Sequence, residues 1–168
     1  AYEYSGSATP TPTYTPTPTP TTTPTPGGSV HSGSYSVKAA YAPSDLYKYF
    51  VQYRTVGANT DYTGEAWVKG SGTMSFTVED TSTWKAISGT TITATDTWTK
   101  FVLPAFNTGN RTNVAVVLKI NESSSGTVYL DDVVIRTPGG TNILDDPGFE
   151  AGNTWMGINT APFSRITN

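Results

Sequence analysis

Apolar and polar residues alternate with a period of two through most of this 168-residue chain. Tyr35, Val37, Ala39 and Tyr41 alternate with Ser36, Lys38 and Ala40, and Tyr47, Tyr49, Val51 and Tyr53 alternate with Lys48, Phe50, Gln52 and Arg54. Tyr62, Gly64, Ala66 and Val68 oppose Thr63, Glu65, Trp67 and Lys69; Met74, Phe76 and Val78 oppose Thr73, Ser75, Thr77 and Glu79. Similar runs cover 97–103, 114–120 and 127–135, with Gly, Asn, Asp and Ser between them. Period two with such punctuation predicts antiparallel strands, because successive side chains of a strand point to opposite faces. No window carries a helical stripe of useful length. Eight or more short strands bury their apolar faces only by closing into a sandwich or barrel, so the expected class is all-β.

The alternation begins at Ser29. Before it, Thr9 to Pro26 is almost pure Thr and Pro, which supplies no large apolar side chain and removes a backbone donor at every proline. Such a tract predicts an extended polyproline II stalk, on the order of 55 Å long at roughly 3.1 Å per residue. The chain therefore divides into a polar-aromatic lead over 1–8, a stalk over 9–28, a β-region over 29–137, and a linker with a further segment over 138–168. Thr11, Thr13, Thr15, Thr17 and Thr19 match the composition of O-glycosylated stalks, and Asn110 and Asn121 open Asn-x-Ser/Thr sequons. Both features point to an extracellular or cell-surface setting. A formal net charge of -3 without clustered Lys or Arg argues against nucleic acid as a partner. No apolar stretch is long enough to insert in a membrane, and the absence of cysteine removes disulfides and thiol chemistry.

Catalytic chemistry is poorly represented, and the chain is expected not to be an enzyme. The single histidine, His31, sits in a turn-like segment with no partner nucleophile motif. The pairs Glu79-Asp80, Asp131-Asp132 and Asp145-Asp146 are adjacent in sequence. Neighbours on a strand point to opposite faces, whereas glycoside hydrolysis needs two carboxylates opposed across a cleft. Sugar binding instead needs exposed aromatic rings with polar groups at the rim. Trp84, in a Thr-Ser-Thr-Trp loop, is the leading candidate, followed by Trp67, Gln52, Arg54, Glu65 and Glu79 from the polar sides of the strands. Trp67 faces either a groove or a packed neighbour. Trp98, Tyr47, Tyr49 and Tyr53 are assigned to core or sheet-face packing.

Several segments resemble the jelly-roll carbohydrate-binding modules of families four, nine and twenty-two. They are Asn142-Ile-Leu-Asp-Asp-Pro-Gly-Phe-Glu150, Ser32-Gly-Ser-Tyr-Ser-Val37, Glu65-Ala-Trp-Val-Lys-Gly70, the Thr97-Trp98 strand and Tyr129-Leu-Asp-Asp-Val133. The resemblance implies an antiparallel jelly-roll β-sandwich. It also implies a structural Ca2+ ion held by Glu150, Asp131 or Asp132, and backbone oxygens near Ser32 to Ser34.

The segment order departs from that of the resembling modules, whose Asn-Leu-Leu-x-Asn-Pro-Gly-Phe-Glu strand comes first. Here it comes last, after Thr137-Pro138-Gly139-Gly140. Three arrangements satisfy this order: a circular permutation within the chain, one period of a tandem array, or donation of the strand to another copy. Each requires the vacated groove to be filled, with Ile143, Leu144 and Phe149 contributing about 1.5–3 kcal/mol apiece on burial. The displaced strand favours a repeating structural or adhesive unit of a surface filament, joined to copies of itself by strand exchange. The alternative is a glycan-binding module of a secreted polysaccharide-degrading enzyme, with polysaccharide as partner.

Overall fold

The computed structural model describes residues 28–45, 48–120, 125–152, 154–158 and 163–168; the lead segment, the stalk with its threonines, Tyr47 and Asn121 lie outside the described residues. The strands are β1 (Tyr35–Tyr41), β2 (Tyr49–Thr55), β3 (Asp61–Asp80), β4 (Ala86–Ala94), β5 (Thr99–Asn107), β6 (Asn113–Lys119), β7 (Gly126–Arg136), β8 (Met156–Ile158) and β9 (Phe163–Thr167). Apart from one 3-10 turn at Pro43–Asp45, the described chain is strand and loop. Among the described residues no helix is long and apolar enough to cross a membrane.

All pairings are antiparallel and form two layers that share β3. Its first half pairs with β5 and β7, and β1 and β9 extend that layer. Its second half pairs with β4 and β6, and β2 and β8 extend the other. The alternation had suggested two strands, at 62–69 and 73–79; they are one 20-residue strand. A strand that passes from one layer to the other must turn a corner, and glycine permits the backbone to do so. At that corner Gly70 has φ of 128°, and a Cβ there would collide with the carbonyl oxygen of Thr127.

Between the layers Phe76, Met74, Ile92, Leu103, Leu118, Ile120, Leu130 and Ile135 are sealed from solvent. They are the inward members of the alternating runs, together with β4, whose Thr-rich sequence did not declare itself as a strand.

The C-terminal region completes this core from within the same chain. β9 lies beside β1 and β8 beside β2, and Leu144, Phe149 and Trp155 are buried in the main core. Residues 142–150 were expected as a strand and are not one. Asp146 and Phe149 have φ of 50° and 60°, and Pro147 intervenes, so the backbone cannot stay extended. The segment still pairs at intervals with β7. Ile143 donates its N–H to the Ile135 carbonyl (2.8 Å), and Val133 donates to Pro147 (2.9 Å). Asn142 accepts the Ile135 N–H and donates to the Val133 carbonyl, both at 2.9 Å. Phe50 stacks on Trp155 and on Phe163, with centroids 5.4 and 4.9 Å apart. The last residue docks beside the first described ones: Asn168 accepts the N–H of Val30 at 3.2 Å, and Ser29 Oγ donates to the Thr167 carbonyl at 3.2 Å.

Removing the Phe149 ring should leave a cavity where the two sheet edges meet. Phe149→Ala is expected to lower unfolding free energy by about 3–5 kcal/mol in urea titration. Light scattering of the unmutated chain should report a monomer across concentrations; a ladder of oligomers would mean that the terminal segment leaves its own core.

Candidate functional site

The outer face of the layer containing β2, β6 and the second half of β3 can be read row by row from its register. Tyr49 lies opposite Lys119, which lies opposite Ser75; Val51, Val117 and Thr77 form the next row; Tyr53, Ala115 and Glu79 form the third. These residues alternate with Phe50, Phe76, Val78, Val114, Val116 and Leu118, all of which belong to or pack on the main core. The face therefore has an apolar floor of Val51, Ala115 and Val117, against which Tyr49 and Ile158 pack. Tyr49, Tyr53, Trp84, Glu79, Lys119 and Ile158 line a cleft of about 350 Å³ over it, within the range of about 300–1,000 Å³ usual for ligand sites. A second recess, lined by Ser75, Thr77, Gly89, Thr90 and Thr91, continues the groove onto β4.

Two aromatic rings stand open at the cleft: Trp84 is 50% and Tyr53 43% exposed. Their centroids are 6.2 Å apart and their planes 77° from each other. Below them Glu79 is buried, accepts the Thr77 hydroxyl at 2.9 Å, and faces Lys119 Nζ at 3.8 Å. That ammonium also sits 5.1 Å from the Tyr49 ring centroid. The cleft thus sets one carboxylate and one ammonium beside an apolar floor and aromatic walls. Such a surface matches a neutral, hydroxyl-rich ligand with apolar faces.

Of the residues singled out from sequence, Trp84 and Glu79 meet here, and the other four do not. Gln52 points inward and holds the C-terminal segment: it donates to the Asp145 carbonyl and accepts the Asp145 N–H, both at 2.8 Å. Arg54 pairs with the Asp145 carboxylate. Both share the inward side of β2 with Phe50, which the polar character of the two side chains concealed. Glu65 lies between Lys100 and Arg136 on the other layer. Trp67 is on that layer too, covered by His31 at 3.9 Å between centroids. Trp98 stands edge-on to His31 and donates to the Gly28 carbonyl at 3.3 Å. Tyr49 and Tyr53, assigned to packing by sequence, are cleft residues. The signal available for them was their odd-numbered register with Val51, opposite in phase to Phe50.

The acidic residues named for an ion gather around the 31–35 turn. Asp132 has φ of 47°, a bulge that breaks strand alternation, so Asp131 and Asp132 turn to the same turn despite being neighbours. The expectation that adjacent acids must face opposite ways fails here for that reason. Asp131 accepts the N–H groups of His31 (2.9 Å), Ser32 (3.1 Å) and Asp132 (2.8 Å). Asp132 accepts the Ser32 hydroxyl at 2.8 Å and lies 2.7 Å from His31 Nδ1. Glu150 accepts the N–H groups of Ser34 (2.9 Å) and Tyr35 (3.1 Å) on one oxygen, a position that requires glycine at 33, where φ is 69°. Burial and then the Asp132 charge push the Asp131 carboxyl up to about 7. Among the described residues no three acidic or imidazole groups converge to hold a metal, and the oxygens of Asp131 are already spent on N–H donors. As placed here the set does not fit calcium; its carboxylates tie the turn and the C-terminal segment to β7. Asn110 is exposed at the turn between β5 and β6.

Trp84 owes its place to the hairpin turn between β3 and β4. Asp80 Oδ1 accepts the Ser82 N–H (2.8 Å), the Ser82 hydroxyl (2.5 Å) and the Thr83 N–H (3.2 Å), while Arg111 Nε donates to Oδ2 at 2.5 Å. Trp84 N–H donates to the Asp80 carbonyl (2.8 Å) and Asp80 N–H to that of Lys85 (2.9 Å). The Ser82 hydroxyl first, then Arg111 and the backbone donors, hold the Asp80 carboxyl well below the usual range. A depressed folded value means the contribution is present above the ordinary aspartate pKa and lost as pH falls towards the folded one. The melting-temperature gap between the unmutated chain and Asp80→Ala should therefore be widest near neutrality and narrow below about pH 4. Thermal melts across that range check it.

No protein-family model and no curated protein matches the chain. Solved structures do. The apo PbXyn10C CBM superposes with a TM-score of 0.60 at 16% identity, covering 80% of this chain and 89% of that one. A structure from work described as "CBM4 structure and function" gives 0.54 at 17% identity, covering 62% and 71%. Both are carbohydrate-binding modules, and what this chain shares with them is the fold: an all-β, antiparallel jelly-roll sandwich.

Proposed function

We propose that this chain is a non-catalytic glycan-binding module whose ligand lies in the cleft over β2, β6 and β3. The observation that carries the reading is the pair of open aromatic walls, Trp84 and Tyr53, beside Glu79 and Lys119 in one cleft, with Thr77 in the adjoining recess. A pyranose ring has apolar C–H faces and an equatorial rim of hydroxyls. The aromatic rings suit the faces, and Glu79, Thr77 and Lys119 suit the rim, where each buried polar group needs a partner. Near-perpendicular walls do not form a flat platform, so the cleft suits a single chain better than a packed polysaccharide surface. The Ser/Thr recess beside it extends the groove along the direction such a chain would take.

The carboxylates support no hydrolytic reading. Glu79 is engaged with Thr77 and Lys119, and Asp80 with its turn, so among the described residues no opposed pair flanks the groove. The surface-filament reading draws its support from the stalk and the displaced terminus. The cleft, whose lining residues are all described, is the better-supported basis. An extracellular setting accords with both readings.

Affinity electrophoresis through a soluble β-glucan and a soluble xylan tests the proposal. The unmutated chain should be retarded by at least one. Trp84→Ala and Tyr53→Ala should each weaken binding about tenfold, the scale of an aromatic anchor. Trp67→Ala, on the opposite layer, should bind as the unmutated chain does. Retardation that survives Trp84→Ala and Tyr53→Ala together would place the ligand elsewhere.

A further inference from the structure

Trp84 stands in a conformation that it would not adopt unaided. Its φ of 54° lies in the left-handed region, which a bulky side chain rarely occupies without over-determination by its surroundings. Its ring is half exposed, with the Tyr53 edge contact beside it, so packing against the core does not supply that determination. The hydrogen bonds of the turn do. Asp80 closes the turn with both carboxylate oxygens and its carbonyl, receiving Ser82, Thr83 and Trp84 from one side and Arg111 from the other. Arg111 in turn belongs to the β5–β6 turn, where its N–H and Nη1 donate to the Thr108 carbonyl at 3.2 and 3.3 Å. Thr108 is buried and joined to Gly57 and Thr60, so the guanidinium is mounted on a fixed base.

We propose that Asp80 and Arg111 are positioning residues for the cleft: the Arg111–Asp80 ion pair locks the 81–85 turn in the bend that presents the Trp84 ring to the ligand. The inference rests on the glycan-binding reading, and it adds that affinity depends on two residues that touch no sugar. Without the lock the turn relaxes to extended backbone at position 84, and the indole must be re-ordered each time ligand binds. A side chain that stabilised only the fold would lower melting temperature without acting specifically through Trp84. A positioning residue acts through it.

A double-mutant cycle on the full chain separates these roles. Asp80→Ala and Arg111→Ala should each weaken retardation by the soluble β-glucan or xylan about fivefold, at a temperature where circular dichroism shows them folded. In a Trp84→Ala background the same changes should add less than about twofold. In ¹⁵N–¹H spectra the Trp84 indole N–H signal, assigned by its loss in Trp84→Ala, should shift or broaden in both variants. Equal losses in the two backgrounds, or no loss where Trp84 is present, would overturn the inference. If the unmutated chain binds neither glycan, the ligand reading falls and the indole signal still decides: unmoved in both variants, it refutes the lock, and displaced, it sustains it. Should Asp80→Ala fail to fold, Arg111→Ala carries the cycle alone, because its side chain lies at the surface end of the pair.

Discussion

A sandwich whose two layers share one long strand leaves its core open along the margin where β1 and β2 begin, and that margin must be covered. Here the cover is Leu144, Phe149 and Trp155, delivered from the far end of the chain. Three rings, Phe50, Trp155 and Phe163, stack across it. Burial of such surface is the largest favourable term available to a domain without disulfides.

The polar contacts around this cover explain why so many charged groups are directed inward or along edges. Gln52 and Arg54 clasp Asp145, Asn142 replaces a strand residue on β7, and Glu150 fastens the 33–35 turn. Asp131 and Asp132 do the same for residues 31 and 32, with the bulge at Asp132 bringing both to bear. These groups gain little net energy individually, but each buried one left unpaired would be costly, so together they fix the register of an otherwise irregular segment. They work as the seam of the fold, whereas the cleft lies on the outer face of the layer that contains β2 and β6.

The two layers also differ in what lies against them. The layer bearing His31, Trp67 and Trp98 also receives Gly28, the residue at which the Thr-Pro tract meets the domain. The cleft of Tyr49, Tyr53 and Trp84 is on the outer face of the other layer.

Much of the fold could be read directly from the chain. Alternation located β1, β2, β6 and β7 within a residue or two, and the apolar residues of the out-of-order Asn142–Glu150 segment marked it as one that must be buried. These are local properties: a period of two and a set of large apolar side chains are written in consecutive residues. Trp84 was legible for the same reason, as a lone aromatic in a polar loop. The rest of the site was not. Alternation says that Tyr49, Val51 and Tyr53 share a face and that Gln52 and Arg54 share the other, but not which face is the core. Polarity pointed to the second pair as the exposed one, and it was the C-terminal segment, folding back to offer Asp145 as a partner, that drew them inward. Likewise one positive φ at Asp132 reversed the expected direction of a carboxylate. Side-chain chemistry fixes which groups must be paired or buried; only the packed fold supplies the distant partner, and so decides which residues remain free to meet a ligand.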